Sequence, residues 1–220
     1  MTDTERRRGL AFLLLYLFLF PYLNGWAQRL LFSDAESMPA EANVVYYAFL
    51  FILVLLEFWS FLKEDFLGLL DWLPENLFGL AAALVLAGGF QAALRLLHLP
   101  LVDPAAGQYA AEFAAAPGPT LVLLLVLIPV VEELVYRGIV YGTLRFYSPL
   151  LAGIVATVVY ALANVWRYAL ELGDARVLLL ALLYLPRGAA LTWCYDNGGS
   201  IWACALCHAS INAITLFLAV

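Results

Sequence analysis

The amino-acid sequence predicts an all-α protein, a polytopic membrane helix bundle of about seven spans with one short helix at the membrane interface. Of its 220 residues, 65% are hydrophobic, and the mean hydropathy is +0.91. A soluble domain is usually about 45–50% apolar, whereas a bilayer-spanning helix needs about 20 mostly apolar residues in succession. Long apolar segments separated by short polar connectors meet this requirement seven times. We therefore expect a single integral membrane domain.

The predicted spans divide the chain into an N-terminal three-span membrane region, residues 1–119, and a helical core with several charged and polar residues at helical spacing, residues 120–220. Between the second and third spans, residues 63–76 mix aromatic and aliphatic side chains with charges, a pattern typical of a helix lying in the interface. Residues 98–119 contain four prolines and are the longest predicted loop. The predicted spans cover about residues 9–31, 43–62, 77–97, 120–146, 149–170, 175–195 and 201–220.

Three charged residues lie inside or beside the fourth predicted span. Glu132 and Glu133 follow the apolar run 121–131, and a charge at the centre of a membrane helix costs about 2.5–3.5 kcal/mol on insertion scales. Glu133 and Arg137 are four residues apart, so they share a helix face and can pair. Glu132 is rotated by about 100° and shares a face with Tyr136. Either all three charges form one structural cluster, or Glu132 is left to act as a general base or acid.

Two further pairs of polar residues occur at helical spacing in later spans. His208 and Asn212 are four apart in the last span, and both side chains can donate hydrogen bonds to a developing oxyanion. An isolated buried histidine is more often a packing residue than a catalyst, so both interpretations stay open. In the fifth span, Asn164 follows Tyr160 by four residues, and a lone amide in a membrane helix commonly joins neighbouring helices.

These motifs, in this order, resemble the CPBP family, the glutamic-type intramembrane proteases that include type II CAAX prenyl endopeptidases and bacteriocin-processing or self-immunity proteins. The resemblance covers the chain from about Thr120 to its end. The first three spans have no matching motif. The residues that carry the resemblance are Glu132-Glu133-x-x-x-Arg137, Tyr160-x-x-x-Asn164, the stretch Asn197-Gly198-Gly199-Ser200-Ile201-Trp202 and His208-x-x-x-Asn212.

The resemblance implies a role for each matching residue. Glu132 would activate water for attack on a peptide bond, and Glu133 with Arg137 would be the supporting pair. His208 and Asn212 would stabilise the oxyanion, without a metal or organic cofactor. The implied partners are the lipid bilayer and a membrane-anchored protein or peptide substrate. Nucleic acid is not expected, because the chain has no basic stripe. We expect an integral protein of the bacterial inner (plasma) membrane.

One position departs from the family pattern. The second motif of the family is usually Phe-x-x-x-His, whereas this chain has Tyr160-x-x-x-Asn164. Asparagine can orient a water molecule, but it cannot take a proton at neutral pH. Either Glu132 suffices as the base with Asn164 positioning water or substrate, or the protein is a catalytically impaired member that acts as a membrane scaffold or immunity protein.

Two more residues are candidates for substrate binding. Arg187, beside Pro186 in the sixth span, can bind the C-terminal carboxylate of a substrate or pair with a carboxylate of the chain. Tyr136 shares the helix face of Glu132. A zinc protease is disfavoured because the chain has only two histidines. A proton pathway or transporter is a further class, ranked last because no inverted repeat is recognisable.

Overall fold

The computed structural model describes residues 1–31, 40–96 and 104–219, and regular secondary structure in these ranges is entirely helical. Seven helical segments within them are long and apolar enough to cross a membrane. The predicted all-α polytopic bundle is therefore confirmed. In chain order, the helices are α1 (3–31, combining Asp3–Leu14, π-helical Leu15–Leu19 and Phe20–Leu31), α2 (Ala40–Asp71), α3 (Leu73–Leu96), α4 (Pro104–Ala115), α5 (Pro117–Leu144), α6 (Pro149–Ala163), α7 (Trp166–Leu172), α8 (Ala181–Gly198, after a 3₁₀ segment Ala175–Leu180) and α9 (Ile201–Ala219).

The predicted interfacial helix over residues 63–76 is helical as far as Asp71, and this part is joined to the second span within α2. Helix α2 bends at Phe58, which has non-helical backbone angles (φ −124°, ψ 19°), and continues to Asp71. One face of its last turns packs on the protein, where Asp65, only 9% exposed, accepts hydrogen bonds from Ser200 Oγ (2.9 Å) and Ile201 N (2.8 Å). The end of α2 is therefore an amphipathic extension of the helix, and its Asp65 carboxylate caps the start of α9.

The long loop predicted over residues 98–119 also differs from the structure. Residues 104–115 form helix α4, and α5 already begins at Pro117. The first part of the predicted loop, residues 98–103, lies outside the described residues. Proline suits the first turn of a helix, where its missing N–H costs no hydrogen bond. Pro104 and Pro117 are therefore the first residues of two helices within a stretch that was predicted to be a loop.

Helix α5 is the centre of the bundle. All residues from 128 to 141 are buried, and α1, α2, α6 and α9 pack against it. Two π-helical segments, Leu123–Leu127 and Leu134–Tyr141, flank the α-helical segment Ile128–Glu133. A π segment shifts the hydrogen bonds from i−4 to i−5 and so rotates the following side chains. The directions of the two adjacent carboxylates therefore depend on an α-helical segment that lies between two π-helical segments.

The connection between α8 and α9 depends on two glycines. Gly199 has a φ of +78°, a left-handed conformation that favours glycine and ends α8. Gly198 faces the start of α3 at close range, because a Cβ atom there would lie 2.9 Å from the Asn76 Cα atom. These glycines let α8 pack closely against α3 and turn directly into α9.

Replacing Gly198 with alanine is expected to destabilise the protein by about 1–3 kcal/mol, the usual cost of overpacking a close contact. The added methyl group would meet the α3 backbone, which cannot move as a side chain can. Thermal unfolding in detergent measures the effect. Gly68→Ala is the matched control, since no described atom lies within 4 Å of its added methyl group. Equal stability of the two variants would contradict the close contact.

Candidate active site

A small cavity inside the bundle brings together most of the predicted site residues. Its volume is about 60 Å³, and it lies between α4, α5, α6, α8 and α9. A space of this size has room for several water molecules. The predicted site residues that line it are Glu132, Tyr160, Asn164, Arg187, His208 and Asn212.

The second carboxylate of the pair, Glu133, is held by two partners. Its Oε1 atom accepts hydrogen bonds from Arg137 Nη1 at 3.1 Å and from His208 Nδ1 at 2.7 Å. Arg137 Nη2 also donates to the Gly188 carbonyl oxygen at 2.9 Å. The side chains of Glu133 and Arg137 have no exposed surface. The ion pair that was predicted from the four-residue spacing is therefore present, and it joins α5 to α8 and α9.

This arrangement determines which nitrogen of His208 carries a proton. Arg137 keeps Glu133 ionised, and an ionised carboxylate only accepts hydrogen bonds. Nδ1 of His208 must then be the donor in the 2.7 Å contact with Glu133. In a neutral imidazole the other nitrogen, Nε2, is an acceptor. His208, whose ring contributes to the cavity lining, can therefore accept a proton or a hydrogen bond at Nε2.

Tyrosine rings enclose the charged cluster. The Tyr160 ring lies nearly perpendicular to the His208 imidazole, with centroids 6.2 Å apart, and the Arg137 guanidinium lies 4.9 Å from the Tyr160 centroid. Tyr136 packs edge-to-face on Tyr160 at 5.2 Å. Such contacts with an aromatic face stabilise a cation. Tyr160 and Tyr136 therefore support the cluster, and Tyr136 also lines a second, larger cavity.

The first carboxylate, Glu132, points away from this cluster. It is 8% exposed and lines both cavities. The Tyr16 hydroxyl of α1 donates to its Oε1 atom over a long distance, 3.5 Å. Sequence reasoning missed Tyr16, because the first three spans have no motif. A tyrosine in the middle of an apolar span was the available signal.

Asn212 is positioned by an irregularity of α5. In the π segment, Ile128 N donates to the Leu123 carbonyl, so the next bond in this pattern would join Leu124 to Pro129. Proline has no N–H, and Asn212 Nδ2 donates to the Leu124 carbonyl instead, at 2.8 Å. An amide group has two N–H donors. One donor of Asn212 is therefore left after the bond to Leu124.

Arg187 and Asn164 complete the cavity. Arg187 Nη2 donates to Asn212 Oδ1, which places a cation beside the remaining amide donor. Asn164 directly follows α6 as its C-cap, and its Nδ2 donates to the Tyr160 carbonyl at 2.8 Å. This residue thus ends α6 and separates it from α7. An asparagine oxygen remains as the acceptor that can meet a water molecule.

A metal site has no support among the side chains described. Within residues 1–31, 40–96 and 104–219, no three His, Cys, Asp or Glu side chains are grouped so that they could hold a metal ion. The three cysteines, Cys194, Cys204 and Cys207, are buried and free. Of the charged residues named above, Glu132 and Arg187 line the cavity, and Glu133 contacts its lining residue His208.

The fold and the buried charged groups define an integral membrane protein with a polar site inside its helix bundle. Residues 114–214 match the family model described as Type II CAAX prenyl endopeptidase Rce1-like. The match confirms the resemblance found in the motifs and covers α5 through most of α9. At the level of the family it implies a protease, and hence a hydrolase. No curated protein and no solved structure matches the chain.

Proposed function

We propose that the protein is an intramembrane glutamic-type endopeptidase that cleaves a membrane-anchored peptide or protein tail. The observation that carries the proposal is the division between two adjacent carboxylates. Glu133 forms hydrogen bonds with Arg137 and His208, whereas Glu132 lines the cavity. The CPBP family, which the motifs resemble, includes bacteriocin-processing proteins, and this resemblance supports the bacterial inner membrane as the proposed location.

In the proposed reaction, Glu132 takes a proton from a water molecule in the cavity. The water oxygen forms a bond to the carbonyl carbon of the substrate, and the carbonyl electrons move to its oxygen. When the intermediate collapses, the C–N bond breaks and the proton passes from Glu132 to the departing amine. The carboxylate is thereby regenerated. This is general base and then general acid catalysis by one group.

Charge balance supports this sequence. With Glu132 and Glu133 ionised, Arg137 and Arg187 cationic and His208 neutral, the site has no net charge. Moving a proton to Glu132 while a negative oxyanion forms leaves the sum unchanged. A buried site of low dielectric penalises a net charge strongly. The two arginines thus allow the oxyanion to form without unbalancing the site.

Asn212 is the proposed oxyanion donor, through the N–H that the Leu124 carbonyl does not occupy, with Arg187 beside it. One good donor is worth about 2.7–4 kcal/mol in the transition state. At the start of the proposed reaction the His208 imidazole is neutral, and its Nε2 accepts a hydrogen bond from the attacking water. It donates to the oxyanion only after it gains a second proton. The two hydrogen atoms of the water are then directed to Glu132 and to His208 Nε2. Asn164 is proposed to position the substrate, because its oxygen can accept a hydrogen bond from a peptide N–H.

Cleavage of membrane-anchored peptides by the purified protein tests the proposal. We expect wild-type protein in proteoliposomes to cleave members of an anchored peptide library, with products identified by mass spectrometry. Glu132→Ala should abolish the products, because the variant lacks the carboxylate that is proposed to take the proton from water. Equal cleavage by both proteins would contradict the role of Glu132. Intact peptides in both samples would instead favour the impaired family member that acts as a scaffold or immunity protein.

A further inference from the structure

A second, larger cavity extends from Glu132 and Asn164 towards α4. Its volume is about 690 Å³, within the range of about 300–1,000 Å³ that is usual for ligand pockets. Its walls come from α1, α2, α4, α5 and α7, together with the end of α6 and Asn164. Glu132 and Asn164 line both cavities, so the larger cavity adjoins the candidate active site.

This cavity contains a buried carboxylate with one open oxygen. Glu112 of α4 is only 7% exposed. Its Oε1 accepts hydrogen bonds from Asn43 Nδ2 and Gln108 Nε2, both at 2.8 Å. Its Oε2 is buried and has no hydrogen-bond partner among the described residues. Burial raises the pKa of the Glu112 carboxyl, while the two hydrogen bonds act in the opposite direction. A carboxylate oxygen without a partner is costly when buried, so Oε2 is a place for a ligand donor.

The surroundings of Glu112 suit a cation. The Tyr168 hydroxyl donates to Gln108 Oε1 at 3.3 Å, so the amide that holds Glu112 is itself fixed. Aromatic faces attract lysine and arginine side chains. At the rim, Arg167 and Glu171 pair at 3.4 Å and largely cancel each other. The tyrosines that contribute to the lining are Tyr16, Tyr46, Tyr47, Tyr109, Tyr136 and Tyr168.

We propose that this cavity is a specificity subsite that binds a lysine or arginine side chain of the substrate, with Glu112 Oε2 as its counter-ion. The inference rests on the proposed peptidase function, because Glu132 lines both cavities and a peptide bound at Glu132 lies next to the larger one. The polar lining from Asn24, Asn43 and Gln108 can also accept a peptide backbone. An ammonium headgroup of a lipid is the competing occupant.

Selection from a random peptide library tests the subsite without requiring cleavage. The library is incubated with Glu132→Gln protein in nanodiscs, and the bound peptides are sequenced by mass spectrometry. In this variant Glu112 is the remaining carboxylate in the interior of the cavity. We expect lysine and arginine to be enriched over glutamine at one position by about tenfold or more, as one charge-assisted hydrogen bond implies. Adding Glu112→Gln should remove the enrichment. Adding Glu112→Asp should keep part of it, which separates lost charge from misfolding.

Glu64→Gln is the matched control, because it removes an exposed carboxylate that lines neither cavity and should leave the enrichment unchanged. The subsite is wrong if basic residues are not enriched, if enrichment survives Glu112→Gln, or if a lipid with an ammonium headgroup is retained in place of basic peptides. Peptide retention does not depend on catalysis. The cleavage assay with wild type and Glu132→Ala therefore decides the peptidase proposal separately.

Discussion

Arg137→Met is expected to destabilise the protein by about 3–5 kcal/mol, the cost of removing one partner of a buried ion pair. Methionine approximates the length of the arginine stem but leaves Glu133 Oε1 with only His208 as a partner. The Gly188 carbonyl also loses the donor at 2.9 Å. Unfolding by denaturant in mixed micelles measures the loss. Because the cluster joins α5, α8 and α9, the helices that carry the site should loosen together.

The control for this experiment is an exposed ion pair of the same spacing. Arg167 and Glu171 are also four residues apart, but their side chains are 42% and 60% exposed and their atoms are 3.4 Å apart. Surface pairs contribute about 0–1 kcal/mol, so Arg167→Met should change stability little. A loss for Arg137→Met no larger than that for Arg167→Met would show that the buried cluster has no structural role.

The sequence was sufficient for the fold class because span length and apolar composition are local properties. Seven spans follow from hydropathy alone, and all seven are present. The ends of the spans were harder to predict. The turns after Phe58 contain charges that suggested an interface, and in the structure the buried Asp65 of these turns contacts the start of α9. Such a contact joins residues far apart in the chain, so no local pattern reveals it.

The contacts of the candidate site also include local ones that the sequence predicts and long-range ones that it does not. The contact of Glu133 with Arg137 was predictable because four residues make about one helical turn. The contact of Glu133 with His208 spans 75 positions, and it changes the protonation expected for the imidazole. The bond from Asn212 to Leu124 depends on a π segment followed by a proline, an irregularity that apolar periodicity does not report.

Glu132→Gln is expected to lower kcat by about 10²–10⁴-fold, the usual contribution of a general acid–base group. Glutamine keeps the shape of the side chain and can still accept the Tyr16 hydrogen bond through its oxygen. It cannot take a proton from water. Because Glu132 is proposed to act on the reacting water rather than on substrate binding, KM should change little, and the unfolding free energy should stay near that of the wild type.

Glu64→Gln is the matched control for the loss of a carboxylate. Glu64 lies on the exposed face of α2 and lines neither cavity. Its replacement should leave kcat and stability unchanged. A similar loss of kcat in Glu64→Gln and Glu132→Gln would point to a general effect of negative charge on the protein in the bilayer, rather than to a base in the cavity.

The rate of a single turnover by wild type and Glu132→Gln, in the same bilayer and with a saturating peptide substrate, is the decisive measurement. This rate reports the chemical step and excludes product release. The proposed mechanism predicts that the rate falls by about 10²–10⁴-fold while the variant unfolds at the same denaturant concentration as the wild type. A correctly folded Glu132→Gln protein that cleaves at nearly the wild-type rate would contradict Glu132 as the base.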